Sequence, residues 1–270
     1  MSPDKTGLRK QLWNKYVWHK QTLKQLAEEY GRSLKWVQKQ LDLVPAPSRR
    51  PRPQLIIAVA DATFFKRGYG ILIVRCPRLK SNPHWHEVAS ESALEYRRAR
   101  QELESQGYVL EAAVIDGRRG ILKVFSDIPV QLCQFHQIQI VRRYLTSWPK
   151  LSAGQELRAI TLSLPILSEK IFAALLAEWF DKWEQFLKER TYAIDGIHWT
   201  HTHRRIRSAY RSLKTNLPHL FTYQKYPKLN IPNTTNSIDG YFSKLKRLLN
   251  AHSGMTTQHR YKVIQEILTA

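Results

Sequence analysis

Two aspartates follow the most apolar stretches of this sequence, at positions where nothing local calls for an acid. Asp61 comes directly after Leu55-Ile56-Ile57-Ala58-Val59-Ala60, and Asp116 directly after the run Val109 to Ile115. A carboxylate at a strand end is commonly a turn residue. A pair of them, closing two buried strands, has a second use. Hard divalent cations such as Mg²⁺ take few protein carboxylates and complete their shell with water and phosphate oxygens. Two such ions side by side activate a water or a hydroxyl and stabilise a leaving oxygen. The surroundings suit a polyanion: 43 Lys plus Arg stand against 22 Asp plus Glu in 270 residues, a formal net charge of +21. Spread basic charge of this kind draws nucleic acid through counterion release from phosphates. A basic surface kept for solubility is the plainer alternative.

The elements that must position these acids read as follows. Leu55 to Ala60 is a buried strand, Lys66-Arg67-Gly68 a turn and Tyr69 to Val74 the returning strand of a hairpin. Trp85 to Ala89 gives a third strand, and Glu91 to Ser105 a helix ending at Gly107. Val109 to Ile115 is a fourth strand, Ile121 to Phe125 a short helix, Val130 to Cys133 a fifth strand and His136 to Leu145 a helix. Three antiparallel strands followed by βα units predict an α/β fold with a mixed sheet. In such sheets sites form at the carboxyl ends of strands, where Asp61 and Asp116 are expected.

Outside this core the chain changes character. Residues 1–53 carry 12 basic residues against the acids Asp4, Glu28, Glu29 and Asp42. Leu12, Tyr16 and Val17, then Leu23, Leu26 and Ala27, mark two helices. Gly31 ends the second, and Ser33 caps a third that holds Leu34, Val37 and Leu41. This is the helix-turn-helix plan, with Lys35, Trp36, Gln38 and Lys39 placed to meet phosphates or base edges; a small three-helix interaction module is the alternative. Pro45, Pro47, Pro51 and Pro53 enclose Arg49, Arg50 and Arg52 in a stiff basic linker. Residues 146–231 lose the strand signal and read as an all-helical insertion. In it Arg204, Arg205 and Arg207 form a candidate DNA-backbone track beside His198, His201 and His203. Thr235 to Asn250 reads as an amphipathic helix with Asp239 in its first turn and Lys244 on its basic side. Two lone cysteines, Cys76 and Cys133, exclude a disulfide scaffold. No apolar run approaches a membrane span, and no signal-peptide pattern opens the chain, so a cytoplasmic location without a membrane partner is expected.

Four ordered stretches make the reading specific: LIIAVADATFF (55–65), AAVIDGRRGI (112–121), VQLCQFHQIQIVRRYLT (130–146) and NTTNSIDGYFSKLK (233–246). They resemble the motif blocks of DDE transposases, in particular the Mutator-like, insertion-sequence branch found in bacteria. The resemblance implies a ribonuclease H-like catalytic core, in two parts (54–145 and 232–270), with the insertion between them and the helix-turn-helix ahead. It implies that Asp61, Asp116 and Asp239 hold Mg²⁺ or Mn²⁺, as two ions. The family usually carries Glu at the third position, and Glu178 and Glu184 compete for that role. Cys133 and His136 match the family's Cys-x-x-His element and are expected beside the site. A zinc site joining them to the three histidines is the rival reading, although two firm ligands fall short of the four a structural zinc needs. The implied activity is cleavage at transposon ends and strand transfer into target DNA, by a homodimer or larger oligomer on double-stranded DNA at the nucleoid. The alternatives are a catalytically inactive or truncated transposase-derived DNA-binding protein, and a ribonuclease H-like nuclease without transposition.

Overall fold

Runs of β-branched and aliphatic residues pair first into one sheet. In the computed structural model, which describes residues 5–47, 53–118, 120–252 and 254–269, strands β1 (Leu55–Lys66), β2 (Tyr69–Cys76), β3 (Ser81–Val88), β4 (Val109–Ile115) and β5 (Val130–Leu132) lie in the order β3-β2-β1-β4-β5. The β1–β2 and β2–β3 pairs are antiparallel, and the β1–β4 and β4–β5 pairs parallel. The expected mixed α/β sheet is therefore present. Gly68, at φ +72°, makes the tight β1–β2 turn at a backbone angle that glycine alone adopts without strain.

Contacts divide the chain into two compact units, Arg52–Asn236 and Met1–Pro51 with Ser237–Ala270. In the larger unit, helix α4 (Ala93–Ser105) buries Tyr96, Ala99 and Leu103 against the sheet, the 3–4 spacing of one helical face. The short α5 (Ile121–Val124) leads to β5, and α6 (Gln134–Leu145) leaves it. The stretch 146–231 holds α7 (Ser152–Leu162), α8 (Glu169–Lys188), α9 (Arg204–Leu220), α10 (Thr222–Lys225) and a 3₁₀ turn (Pro227–Leu229). Phe172, Leu176 and Trp179 of α8 and Ala209, Tyr210 and Leu213 of α9 extend the core that the sheet begins.

This stretch is not all-helical. Two three-residue strands, β6 (Arg190–Tyr192) and β7 (Trp199–His201), pair as an antiparallel hairpin between α8 and α9. Strands so short offer too few alternating positions for a periodicity reading, although Thr191, Tyr192, Trp199 and Thr200 are all residues that favour strands.

The smaller unit contains α1 (Lys5–Val17), α2 (Leu23–Glu29), α3 (Leu34–Asp42), α11 (Asn236–Ala251, from Ser237 onward) and α12 (Thr257–Thr269). Thr22 and Gln25 form a reciprocal capping box at the start of α2, and the Ser33 hydroxyl accepts from the Trp36 amide at the start of α3. Gly31 at φ +59° separates the two helices. Tyr16 stacks on His252 with centroids 4.0 Å apart, and Lys262 donates to the Val44 carbonyl at 2.8 Å. The last part of the core expected over 232–270 is thus divided: 232–236 stay with the sheet, and 237–270 group with 1–51.

Candidate active site

Parallel pairing of β1 with β4 ends at Val59↔Val114. Two residues further along each segment lie Asp61 and Asp116, so the two acids occupy matching places in the chain, and the charge of Asp116 reaches Asp61. The structure corrects one detail. Asp61 does not close its strand, because β1 runs on to Lys66 with Asp61 facing Ile73 of β2. The apolar run stops at Asp61, but hydrogen bonding to β2 carries the strand onward. Asp61 is thereby held on a rigid element and only 7 % exposed.

Burial is the first cause that pushes the Asp61 carboxyl up to about 7; Glu91 and Asp116 push it further, against the pull of His136 and of the Ala62 amide. The amide donates to Asp61 Oδ1 at 2.8 Å, and the Thr235 hydroxyl donates to Oδ2 at 3.5 Å. Asp116 is half-buried, and its Oδ1 accepts from the Arg118 amide at 2.8 Å.

Cys133 and His136 are brought to this same place. Cys133, buried and unpaired, precedes α6 and receives the Thr235 amide and hydroxyl on its sulfur at 3.3 and 3.5 Å. Burial opposes ionisation of this thiol, but His136 and Thr235 outweigh it and bring it below its ordinary value. The Cys133 sulfur, more than the charges of Asp61 and Asp116, raises His136 to about 9 against the cost of burial. His136 Nδ1 is buried and, among the described residues, has no hydrogen-bond partner.

Three further residues of the site are not apparent from the sequence. Glu91, whose side chain is 7 % exposed, accepts from the buried Tyr96 hydroxyl at 2.8 Å and from Arg118 Nε at 3.1 Å. Burial and Asp116 raise its carboxyl, while Tyr96, Arg118 and His136 hold it down. Tyr96, fully buried beneath all three acids, is driven far above the usual phenol value by burial first and then by Glu91, Asp61 and Asp116. In the sequence Glu91 opens the stretch to Ser105 that is expected to be a helix, and nothing local marks it or Tyr96 as part of a site. The third, Thr235, lies inside the NTTNS stretch and reads as a helix cap. In the fold the Asn233–Thr235 segment is fastened to the start of α6, with the Gln134 amide donating to the Asn233 carbonyl and the Asn233 side chain to Gln134 Oε1, each at 2.9 Å.

The remaining candidates are dispersed. Asp239 is exposed in the first turn of α11, in the smaller unit, and so is not assembled with Asp61 and Asp116 inside one compact body. On α3, Lys35 and Lys39 are exposed and Trp36 lies under the Arg32 guanidinium, whereas Gln38 lines an interior cleft of the unit with Tyr16 and His259. Lys244 sits over the Trp18 ring at 4.1 Å. Arg49 and Arg50 lie outside the described residues. Arg204 is exposed, Arg205 donates to the Arg143 carbonyl and Arg207 to the Leu187 carbonyl. Glu178 is an exposed residue of α8, and Glu184 pairs with Lys188 on the same helix. His198 bonds Asp195 and His203 bonds Glu189, so two of the three histidines expected of a zinc cluster have separate partners. Among the described residues no three His, Cys, Asp or Glu side chains gather as a ready metal site.

The chemistry of the donors nevertheless suits a hard divalent ion. Asp61, Asp116 and Glu91 offer carboxylate oxygens, and the raised Asp61 carboxyl is a buried acid whose charged form lacks full compensation. No protein-family model matches this chain, and no curated protein is similar to it.

Proposed function

We propose that the protein is a DNA transposase of the DDE type, which cuts at the ends of its mobile element and joins the 3′ ends to target DNA. The observation that carries this reading is the placement of Asp61 and Asp116, each two residues past the Val59↔Val114 pair of β1 and β4 and within electrostatic reach of each other and of His136 beside Cys133. The mixed sheet β3-β2-β1-β4-β5, three antiparallel strands followed by parallel βα units, is the one expected from the sequence and supports it. So does the net charge of +21.

Asp61 and Asp116 would hold Mg²⁺ or Mn²⁺, with Glu91 as a third carboxylate in the same unit. When bound, such ions supply an activated water or 3′-hydroxyl and stabilise the leaving oxygen. The chain's own residues set the rest. β1 and β4 fix the two acids on a rigid sheet, the 233–235 segment orients Asp61 through the Thr235 hydroxyl, and Arg118 and Tyr96 clamp Glu91. The His136 imidazolium faces a cluster of negative charge and suits contact with a phosphate oxygen. Helix α3 would read the element ends through Lys35, Trp36 and Lys39 in helix-turn-helix fashion, with Arg204 and Arg205 on the DNA backbone.

Glu91→Gln is expected to slow cleavage about tenfold, near 1.4 kcal/mol, because one charge of the acid group is lost while its shape remains. An unchanged rate would remove Glu91 from the machinery. One second reading is a transposase-derived DNA-binding protein without catalysis, favoured by Asp239 standing where the family resembled usually carries Glu. Incubation of the full chain with DNA flanking its gene, with and without Mg²⁺ or Mn²⁺, decides between them. The transposase gives metal-dependent nicks at the element ends; tight binding with no nick under either metal leaves the second reading.

A further inference from the structure

The β6–β7 hairpin ends in a built turn that displays apolar side chains to water. Asp195 Oδ1 accepts from the Ile197 and His198 amides at 2.9 and 3.0 Å, and its other oxygen bonds His198 Nδ1. Gly196 closes the turn at φ +69°. On this fixed frame Ile194 is fully exposed and Ile197 is 78 % exposed, where a solvent-facing turn has no use for isoleucine.

At the root of the hairpin lies a cleft of about 410 Å³ whose lining includes His201, Arg207, Arg211 and Lys214, the ion pair of Glu184 with Lys188, and the rings of Phe180 and Tyr210. The acids nearby are already engaged: Glu184 with Lys188, Glu189 with His203, Asp195 with His198. Among the described residues no ion pair ties Arg207, Arg211 or Lys214 to a carboxylate. An apolar tip on a hairpin whose root carries a cleft with an excess of cations over its single acid, Glu184, matches duplex DNA, in which an aliphatic wedge unstacks a base step while cations grip the backbone beside it.

We propose that the hairpin is a wedge that opens duplex DNA, with Ile194 and Ile197 entering between base pairs while Arg207, Arg211 and Lys214 hold a phosphate strand in the cleft. The inference rests on the DNA reading above and adds to it a distorting element. Proteins that insert such wedges use the bend to wrap more of their surface with DNA.

The test uses the full chain, a mixed-sequence duplex and permanganate, which oxidises thymines only where they are unstacked. Wild type should make thymines reactive. The variant Ile194→Ser/Ile197→Ser should reduce that reactivity at least about fivefold, with affinity changed less than about threefold, since the wedge distorts and the cations bind. Both positions are solvent-exposed, so the variant should fold as wild type does, which its circular dichroism checks. Arg211→Gln/Lys214→Gln should weaken binding and flatten the log–log salt slope by about two. Reactivity equal in wild type and the isoleucine variant, or absent in both while DNA is bound, overturns the wedge and leaves the DNA reading intact. A drop in the mass of the free protein on replacing the isoleucines, with reactivity unchanged, assigns the tip to contact between copies. Failure of wild type to bind duplex at low salt defeats the DNA reading itself.

Discussion

Asp116→Asn is expected to reduce metal-dependent strand cleavage by at least about 10³-fold while leaving the fold intact, because a carboxylate that holds two ions contributes several kcal/mol to charge stabilisation. The substitution is nearly isosteric. Asn Oδ1 still accepts the Arg118 amide that now meets Asp116 Oδ1 at 2.8 Å. No buried partner is orphaned, so thermal stability should match or slightly exceed that of wild type. Asp116 also raises the carboxyls of Asp61 and Glu91, and its neutralisation should let both ionise at lower pH. Single-turnover cleavage read beside a melting curve separates this chemical effect from misfolding. Retained cleavage in a folded variant would take Asp116 out of the site.

Asp61→Asn should have a different signature, visible without DNA. The Asp61 carboxyl lies at about 7 in the fold against 3.8 for the free side chain, chiefly through burial. A raised acid favours the folded state only while it is protonated. Wild type therefore loses stability as pH climbs from about 4 through about 7, and carries the full cost above that. Asparagine never ionises, so metal-free Asp61→Asn should gain stability relative to wild type by roughly 4 kcal/mol between pH 4 and pH 8. Denaturant midpoints of the two proteins at both pH values check this. Mg²⁺ or Mn²⁺ should recover stability at pH 8 in wild type and not in the variant. A pH-independent difference would mean that Asp61 is not the costly buried acid described here.

The sheet was largely legible in the sequence, since Leu55–Ala60, Tyr69–Val74 and Val109–Ile115 are apolar runs too short for helices and bounded by turn residues. The extension of β1 past Asp61 was not, because the polar and aromatic residues 61–66 are held by pairing with β2 rather than by their own pattern. The β6–β7 hairpin escaped for a related reason, its strands spanning three residues each. Within the site, Asp61 and Asp116 could be named because each follows an apolar run, whereas Cys133 and His136 could be named through the resemblance to a Cys-x-x-His element. Glu91 could not, since an acid in the first turn of an expected helix is common and its partners Tyr96 and Arg118 are settled only by folding. Thr235 carries a cap signature, and its contact with Asp61 spans 174 residues of chain, beyond any local rule. Asp239 rests on resemblance alone, and its helix groups with α1–α3.

The measurement that tests the central claim most directly is affinity cleavage of the polypeptide by bound Fe²⁺ with ascorbate and peroxide. Iron replaces the divalent ion and generates hydroxyl radicals that cut the backbone beside it. Cuts near residues 61, 91, 116 and 235, suppressed by excess Mg²⁺ and lost in Asp116→Asn, are the predicted result. Cuts around His198 to His203 instead, or no localised cutting with iron bound, would contradict an ion held by Asp61 and Asp116.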